Sequence, residues 1–294
     1  MIKRVVLSGI VFLVLLTAFV MAQQPAPYSQ LDPKPYDPET DPNIDMYIGN
    51  WRESMPKKTH GAMIERDILT KGDPLNPVTK GAVLKYVNRF TRASIGAYET
   101  TSPTTLKDEQ EILYVLSGNG TVTAGSKTAD LYPGIAVLMP ANLEFTMKNI
   151  SDETLTMYLV AEPVPEGFRV NDEMLVVDEN KQQWNKGNPH WVGLSKPVFS
   201  TQSGLGTLTS ILTVQFDPMT FFHPHSHLEG IEEVWTAISG DIYFLLGKQI
   251  RHQPPGTAYL IPPDGKTPHA NFNVSDERIK LFYFARFPGR ELRK

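Results

Sequence analysis

Cysteine is absent from this chain of 294 residues, and neither sign of charge is in large excess. Without cysteine the protein has no disulfide and no sulfur to carry a lipid, so its stability must come from its packed cores. Lysine and arginine number 28 against 32 aspartate and glutamate residues, a formal net charge of −4 at pH 7. Nucleic-acid binding requires a basic surface. The composition therefore gives no reason to expect nucleic acid as a partner.

Long apolar runs are also missing, apart from one at the start of the chain. Lys3 and Arg4 precede a largely apolar stretch of sixteen residues, 5–20, which is followed closely by Ala22. A membrane-spanning helix needs about 20 apolar residues, whereas a basic start, a shorter apolar stretch and a small residue are typical of a secretory signal peptide. We therefore predict that residues 1–22 are removed. The mature protein is then periplasmic or secreted, has no membrane contact, and loses two of its 28 positive charges.

Proline and glycine, in contrast, are abundant, with 24 and 21 residues respectively. They separate short segments of alternating apolar and polar residues, and these segments become clear from Gly81 onwards. Runs of five to eight such residues between turn residues are typical of a β-sandwich or a β-barrel. We therefore predict an all-β protein. Residues 23–80 are predicted to form a flexible lead and an arm that packs against this β-structure.

Three histidines, His223, His225 and His227, stand at alternate positions of one segment. Alternate side chains of an extended strand share a face, so the three rings can enter one cavity. The carboxylates Glu232 and Glu233 follow within a few residues. Histidines that converge with a carboxylate are the usual ligands of a divalent transition metal. The alternative is a histidine-rich loop that binds no metal.

This segment and a later one resemble the two sequence motifs of the cupin family. The first motif, a histidine pair followed by a glutamate and then a glycine, is formed by His225, His227, Glu233 and Gly240. The second motif is formed by Gly256, Pro263, Gly265, His269 and Asn273. The gap of five residues between His227 and Glu233 is longer than the usual three or four. Glu232 and His223 therefore stay open as alternative ligands.

The spacing of these motifs is repeated in the first half of the chain. Glu111 precedes Gly118 by the same interval that separates Glu233 from Gly240, and a repeat of this length indicates two copies of one fold. The resemblance thus implies a two-barrel (bicupin) protein: two cupin barrels, of the double-stranded β-helix or jelly-roll type, in tandem. The N-terminal barrel is predicted at residues 81–167, the connector at 168–204 and the C-terminal barrel at 205–294.

The histidines are not repeated, since Phe145 stands where the second copy has His269. Both motifs are complete only in the C-terminal barrel, and the N-terminal barrel is predicted to be metal-free, with the lone His60 in a structural role. The resemblance implies one divalent transition metal (Mn, Fe, Ni or Zn) in the C-terminal barrel. Its implied ligands are His225, His227, Glu233 and His269. Proton transfer needs a further group, for which Glu232 and Glu229 are the carboxylates nearest in the sequence.

These features favour a non-redox enzyme, a lyase, isomerase or hydrolase, that uses the metal as a Lewis acid. The resemblance implies a small sugar-like or keto-acid substrate, and a homo-oligomer because cupin barrels commonly pair. Two alternatives stay open. One is an oxygen-dependent dioxygenase or an oxalate-decarboxylase-like oxidoreductase, and the other is a non-catalytic metal or sugar binder.

Overall fold

The computed structural model describes residues 34–185 and 193–289, and these ranges consist almost entirely of β-structure. The strands of the first range are β1 (Ile48–Asn50), β2 (Lys57–Thr59), β3 (Met63–Lys71), β4 (Ala82–Leu84), β5 (Arg89–Ile95), β6 (Thr104–Thr105), β7 (Glu109–Ser117), β8 (Gly120–Ala124), β9 (Lys127–Leu131), β10 (Ile135–Met139), β11 (Glu144–Asn149), β12 (Leu155–Pro163) and β13 (Leu175–Asp178). Those of the second are β14 (Leu194–Ser200), β15 (Ser210–Phe216), β16 (Glu232–Ser239), β17 (Ile242–Leu246), β18 (Gln249–Gln253), β19 (Thr257–Ile261), β20 (His269–Phe272) and β21 (Ile279–Arg286). Short 3₁₀ helices span Ile44–Tyr47, Trp51–Glu53, Glu179–Lys181 and Thr201–Ser203.

The strands form two pairs of sheets, which make up two barrels. In the first barrel a large sheet with the order β13-β10-β7-β12-β5-β3-β2, to which β4 adds on β3, faces a small sheet with the order β6-β11-β8-β9. In the second barrel the large sheet has the order β1-β19-β16-β21-β15-β14, and the small one β18-β17-β20. Paired antiparallel sheets around a core are the jelly-roll arrangement. The predicted all-β fold with two barrels in tandem is confirmed.

The segment before residue 81 contributes to both barrels. Strand β1 pairs with β19 of the second barrel, with Ile48 opposite Tyr259, whereas β2 and β3 extend the large sheet of the first barrel. The predicted arm is therefore built into the sheets, and the first barrel's sheet extends beyond the predicted boundary at residue 81. The predicted signal peptide, the first part of the lead, and residues 186–192 of the connector lie outside the described residues.

The central strands of the two large sheets are buried on both faces. In β7, Leu113 points into the first barrel's own core, whereas its neighbour Tyr114 belongs to a second core that continues into the other barrel. There the ring of Phe282, from β21, lies 5.3 Å from Tyr114 and 6.2 Å from Phe90. Each buried aromatic side chain of this kind stabilises the fold by roughly 1.5–3 kcal/mol. A strand that is buried on both faces has no polar side. The sequence of β10 is therefore apolar at all its positions.

The predicted repeat is visible in the backbone at the motif glycines. Gly118 follows β7 with a φ of 82°, and Gly240 follows β16 with a φ of 72°. A side chain at Gly240 would also meet Ile279, since its Cβ would lie 2.4 Å from Cγ2 of that residue. Left-handed backbone without space for a Cβ requires glycine. The interval between glutamate and glycine is therefore set by the length of the strand before the turn.

Asn149 and Asn273 stabilise equivalent loops in the two barrels. The Nδ2 of Asn149 donates to the carbonyls of Ile95, Gly96 and Glu153. The Nδ2 of Asn273 donates to the carbonyls of Phe216, Asp217 and Glu277. Each Oδ1 accepts a hydrogen bond from a serine two residues later. The motif asparagine thus has a structural role, because it supplies donors to carbonyls that the strands leave unpaired.

Among the described residues, the structure contains no helix of the length and apolarity that a membrane span requires.

Candidate metal centre

The candidate metal centre lies in the second barrel, where a loop and two strands meet. His225 and His227 come from the loop before β16, Glu233 from β16 and His269 from the start of β20. The loop is fixed to β20 by two backbone hydrogen bonds: the amide of His225 donates to the carbonyl of His269 at 3.1 Å, and the reverse bond is 2.8 Å. This isolated bridge holds the two segments in register and places their imidazoles side by side.

The three imidazole rings and the carboxylate of Glu233 converge. The ring centroids of His225, His227 and His269 lie 4.4 to 5.0 Å apart, and each ring has a nitrogen within 4.8 Å of a nitrogen of the others. The Oε2 of Glu233 is 3.1 Å from Nε2 of His227, and its Oε1 is 3.2 Å from Nε2 of His269. The structure therefore brings together the four side chains that the sequence predicts as ligands.

The donor atoms of this group fit a divalent transition metal. The Nε2 atoms of His227 and His269 are buried and have no hydrogen-bond partner in the described chain, although each lies near a carboxylate oxygen. A buried polar atom without a partner is costly, and coordination to a cation removes that cost. Imidazole nitrogens combined with a carboxylate suit Mn²⁺, Fe²⁺, Ni²⁺ and Zn²⁺.

Neighbouring aromatic side chains orient the carboxylate of Glu233. The indole Nε1 of Trp235 donates to its Oε1 at 2.7 Å, and the hydroxyl of Tyr283 donates to its Oε2 at 2.9 Å. Burial opposes ionisation of Glu233, but His227 and His269 outweigh this effect and hold its pKa well below the usual range. The carboxylate is therefore both charged and fixed in position, as a metal ligand requires.

The protonation states of the histidines are also suited to ligation. Burial and the neighbouring His269 lower the pKa of His225 to about 4, and burial lowers the pKa of His269. Burial likewise opposes the charged form of His227, but Glu233 raises its pKa overall. The Nδ1 of His225 lies 2.8 Å from the carbonyl oxygen of His223, which can only accept. In neutral His225 the lone pair is therefore on Nε2.

The structure does not bring His223 or Glu232 into this group. His223 is exposed, and its carbonyl oxygen helps to orient the ring of His225. Glu232 precedes Glu233 in β16, so its side chain points to the opposite face, where its carboxylate accepts from the amides of Lys85 at 2.7 Å and Tyr86 at 3.4 Å. Burial, opposed by these amides, raises the pKa of Glu232 to about 7. Glu232 joins the two barrels, and its proposed role in proton transfer has no support from this geometry.

Glu229, the other predicted proton-transfer group, is exposed on the loop before β16. Its role stays a prediction. Sequence reasoning also missed Tyr283 as a support of Glu233; the available signal was its alternation with Leu281 and Ala285 along β21. A second polar pair lies in the same barrel, where the hydroxyl of Tyr259 donates to Oδ1 of Asn271 at 2.9 Å.

Glu111, the first barrel's counterpart of Glu233, contacts both an imidazole and a guanidinium group. His60 places its Nε2 at 3.2 Å from Oε1 of Glu111, and Arg89 donates to the same oxygen at 2.7 Å. His60, which was expected to be structural, therefore lies in the part of the first barrel that corresponds to the candidate metal centre of the second.

Comparison with known proteins supports this description of the fold. Residues 96–161 match the family model described as the cupin domain. Similar solved structures include AerE from Microcystis aeruginosa, with a TM-score of 0.62, 14% identity, and coverage of 82% of this chain and 99% of that chain. A variant of oxalate decarboxylase from Bacillus subtilis has a TM-score of 0.62 at 13% identity, with 85% and 79% covered. The 7S globulin of Momordica charantia has a TM-score of 0.61 at 12% identity, with 82% and 84% covered. No curated protein sequence matches the chain.

Residues 96–161 of the chain thus match a cupin domain, and the β-barrel fold is similar to that of the solved structures named above. The matched residues 96–161 lie in the first barrel, whereas the three histidines of the candidate metal centre lie in the second. At identities of 12 to 14% the likeness to solved structures shows the fold alone. One fold serves many reactions, so the function must be argued from the site.

Proposed function

We propose that the protein is a non-redox enzyme that uses one divalent transition metal, bound in the second barrel, to act on a small oxygen-rich substrate. The observation that supports this proposal most directly is the convergence of three imidazoles on the carboxylate of Glu233. Two buried ring nitrogens of this group, those of His227 and His269, have no other partner among the described residues. Binding of a cation explains why these buried nitrogens lack a partner.

Each ligand has a distinct place in the proposed centre. Glu233 and His269, with side chains 3% and 1% exposed, form its base, whereas His227 is 19% exposed and lies at the rim. A substrate therefore approaches past the loop that holds His225 and His227. When bound, a divalent ion in such a site polarises a carbonyl or stabilises an enediolate as a Lewis acid.

Asn271 indicates the chemistry of the substrate. Its Oδ1 is occupied by Tyr259, but its Nδ2 is buried and lacks a hydrogen-bond partner in the described chain. Burial, with a smaller contribution from the charge of Glu233, raises the pKa of Tyr259, so this phenol stays neutral. We infer that the amide of Asn271 donates to a substrate oxygen, which favours a sugar-like or keto-acid compound.

The remaining parts of the proposal concern location and assembly. The mature enzyme is exported after cleavage behind Ala22, and it forms a homo-oligomer. Mass spectrometry of the protein isolated from its native cells should give a chain that begins at Gln23. A chain that retains residues 1–22 would contradict the predicted export.

Metal analysis and a turnover assay test the function together. The purified protein should contain one tightly bound Mn, Fe, Ni or Zn ion in the second barrel, and His269→Ala should lose it together with turnover of a panel of uronates and keto acids. His252→Ala is the matched control, because His252 is a partly exposed histidine of the same barrel that pairs with Asp241 instead. If the second barrel of His269→Ala retains its ion, the ligand assignment is refuted. Consumption of oxygen during turnover would instead favour the oxygen-dependent alternative, and a bound ion without turnover would favour a binding protein.

A further inference from the structure

The first barrel contains its own group of potential metal ligands. His60, from the turn between β2 and β3, Glu65 of β3 and Glu111 of β7 each offer one donor atom, and these atoms lie within 4.8 Å of one another. The Nε2 of His60 is 3.2 Å from Oε1 of Glu111 and 4.0 Å from Oε1 of Glu65. The exposed fraction of the side chain is 6% for His60, 2% for Glu65 and 0% for Glu111. The group is therefore closed off from solvent almost completely.

These separations fit coordination without rearrangement of the backbone. Two donors that each lie about 2.1 Å from an ion are roughly 3 Å apart at a right angle and roughly 4 Å apart when nearly opposite. The distances from His60 to Glu111 and Glu65 fall within this range. One ion can therefore contact all three side chains after small rotations.

The charge of the surroundings also favours a cation. Arg89 donates to all three nearby carboxylates, to Glu65 at 3.0 Å and to Glu109 and Glu111 at 2.7 Å each. Three carboxylates and one guanidinium leave a formal charge of −3 + 1 = −2 when His60 is neutral. Uncompensated charge in a buried group is strongly unfavourable. A divalent ion would neutralise this excess.

An independent observation points to a missing partner. The Oε2 of Glu111 is buried and has no hydrogen-bond partner in the part of the chain that the structure describes. Arg89 reaches only the other oxygen of Glu111. A fully buried carboxylate oxygen without a donor is rare, and coordination of a cation would satisfy it.

The chain supplies this group differently from the second barrel. Glu111 occupies the strand position of Glu233, but Phe145 replaces His269, and the ring of His60 lies 5.6 Å from that of Phe145. The imidazole thus comes from the N-terminal arm rather than from the loop before the strand. We propose that His60, Glu65 and Glu111 bind a second divalent transition ion, with Arg89 as the counter-charge that sets the orientation of the carboxylates.

Counting Mn²⁺ ions per chain tests this proposal. Chelator-treated protein that is reloaded with Mn²⁺ should hold two ions by elemental analysis, and His269→Ala should retain the first-barrel ion. His60→Asn should lose that ion but keep the one in the second barrel. Asparagine is the suitable replacement, because residue 60 has a φ of 45° and asparagine tolerates left-handed backbone better than most residues. A double variant, His60→Asn with His269→Ala, should hold none.

Glu111→Gln should also lose one ion, whereas Glu109→Gln is the matched control, since Glu109 contacts Arg89 but is not one of the three ligands. Equal Mn²⁺ content in the wild type and His60→Asn would overturn the proposal, as would complete loss in His269→Ala. Anomalous diffraction at the manganese edge from wild-type crystals gives a second test that needs no variant. A peak in contact with Glu111 and His60 is expected, and its absence would show that a proton on His60 takes the place of the ion. Because the two ions are counted separately, failure here leaves the proposed function of the second barrel intact.

Discussion

Replacement of Glu179 by glutamine should lower the free energy of unfolding by weakening the contact between the two barrels, because this buried carboxylate contacts both. Glu179 lies in the 3₁₀ helix after β13 and is 1% exposed. The hydroxyl of Tyr114, on β7, donates to its Oε2 at 2.9 Å, and that of Thr213, on β15, donates to its Oε1 at 3.0 Å. Two lysines of the second barrel, Lys196 and Lys280, form ion pairs with it. This side chain is therefore one of the polar links between the two barrels, as Glu232 is another.

The size of the effect follows from the charges that glutamine would leave behind. Removal of one partner of a buried ion pair costs about 3–5 kcal/mol. Because Lys280 is 27% exposed and can turn towards water, we expect the lower end, about 3 kcal/mol. For a protein of this size, that loss lowers Tm by roughly 6–12 °C.

The pH dependence supplies a second, independent check of the same reasoning. Burial would raise the pKa of Glu179, but Lys280, Tyr114 and Lys196 outweigh it and lower the pKa below its ordinary value of 4.5. A carboxyl group with a lowered folded-state pKa stabilises the protein above its unfolded-state pKa and loses this contribution as the pH falls through the folded-state pKa. The difference between wild type and Glu179→Gln should therefore be full at pH 7 and shrink below pH 4.5.

Urea unfolding, followed by tryptophan fluorescence at several pH values, measures both quantities. Glu166→Gln is the control, because Glu166 is an exposed glutamate in the turn after β12 and its replacement should change the free energy of unfolding by less than about 0.5 kcal/mol. If Glu179→Gln is as stable as this control at pH 7, the barrels are not joined by this ion pair. If the deficit stays constant on acidification, its cause is packing rather than charge.

The remaining predictions concern single contacts. Glu233→Gln should abolish binding of Mn²⁺ by the second barrel and Glu232→Gln should leave it intact, since only Glu233 faces the histidines; calorimetric titrations that show equal losses would contradict this assignment. Trp235→Phe should weaken the same affinity by about 10- to 100-fold, because it removes the hydrogen bond to Oε1 of Glu233, and an unchanged affinity would count against that role. Asn149→Ala and Asn273→Ala should each lower the free energy of unfolding by about 2–4 kcal/mol, since three backbone carbonyls lose their donor; a urea titration that gives a loss below about 1 kcal/mol would refute it.

Local spacing predicted the all-β class and the alternate histidines, and the resemblance to the cupin motifs implied the barrels and the complete ligand set. The strands are bounded by glycines whose left-handed backbone excludes other residues, as at Gly118 and Gly240, so the repeat of the two halves is readable from the sequence. His225 and His227 stand two residues apart in the loop before β16, and Glu233 lies near the start of that strand. Each of these features depends on neighbours within a few residues, and such features are the ones that a sequence pattern records.

Contacts between distant segments explain what the sequence could not show. Strand alternation alone places Glu232 and Glu233 on opposite faces, so the separation of Glu232 from the histidines was within reach of sequence reasoning. That its carboxylate meets the amides of Lys85 and Tyr86, about 150 residues earlier, was not. A backbone amide has no sequence signature. The residue pattern likewise does not indicate that β1 pairs with the second barrel rather than with the first.

The two barrels show which part of a cupin site is fixed and which part is free to change. Glu111 and Glu233 occupy equivalent positions near the start of β7 and β16, where the register of a sheet buried on both faces determines the direction of the side chain. The imidazoles of His225, His227 and His60 are not bound by that register, because the first two come from a loop in the second barrel and the third from a turn in the first. A one-residue slip in the strand would send the carboxylate to the wrong face, whereas a loop can be replaced by any segment that reaches the same volume. Motifs written around the histidine pair will therefore overlook centres such as that of the first barrel, in which only the strand-borne glutamate stays in place.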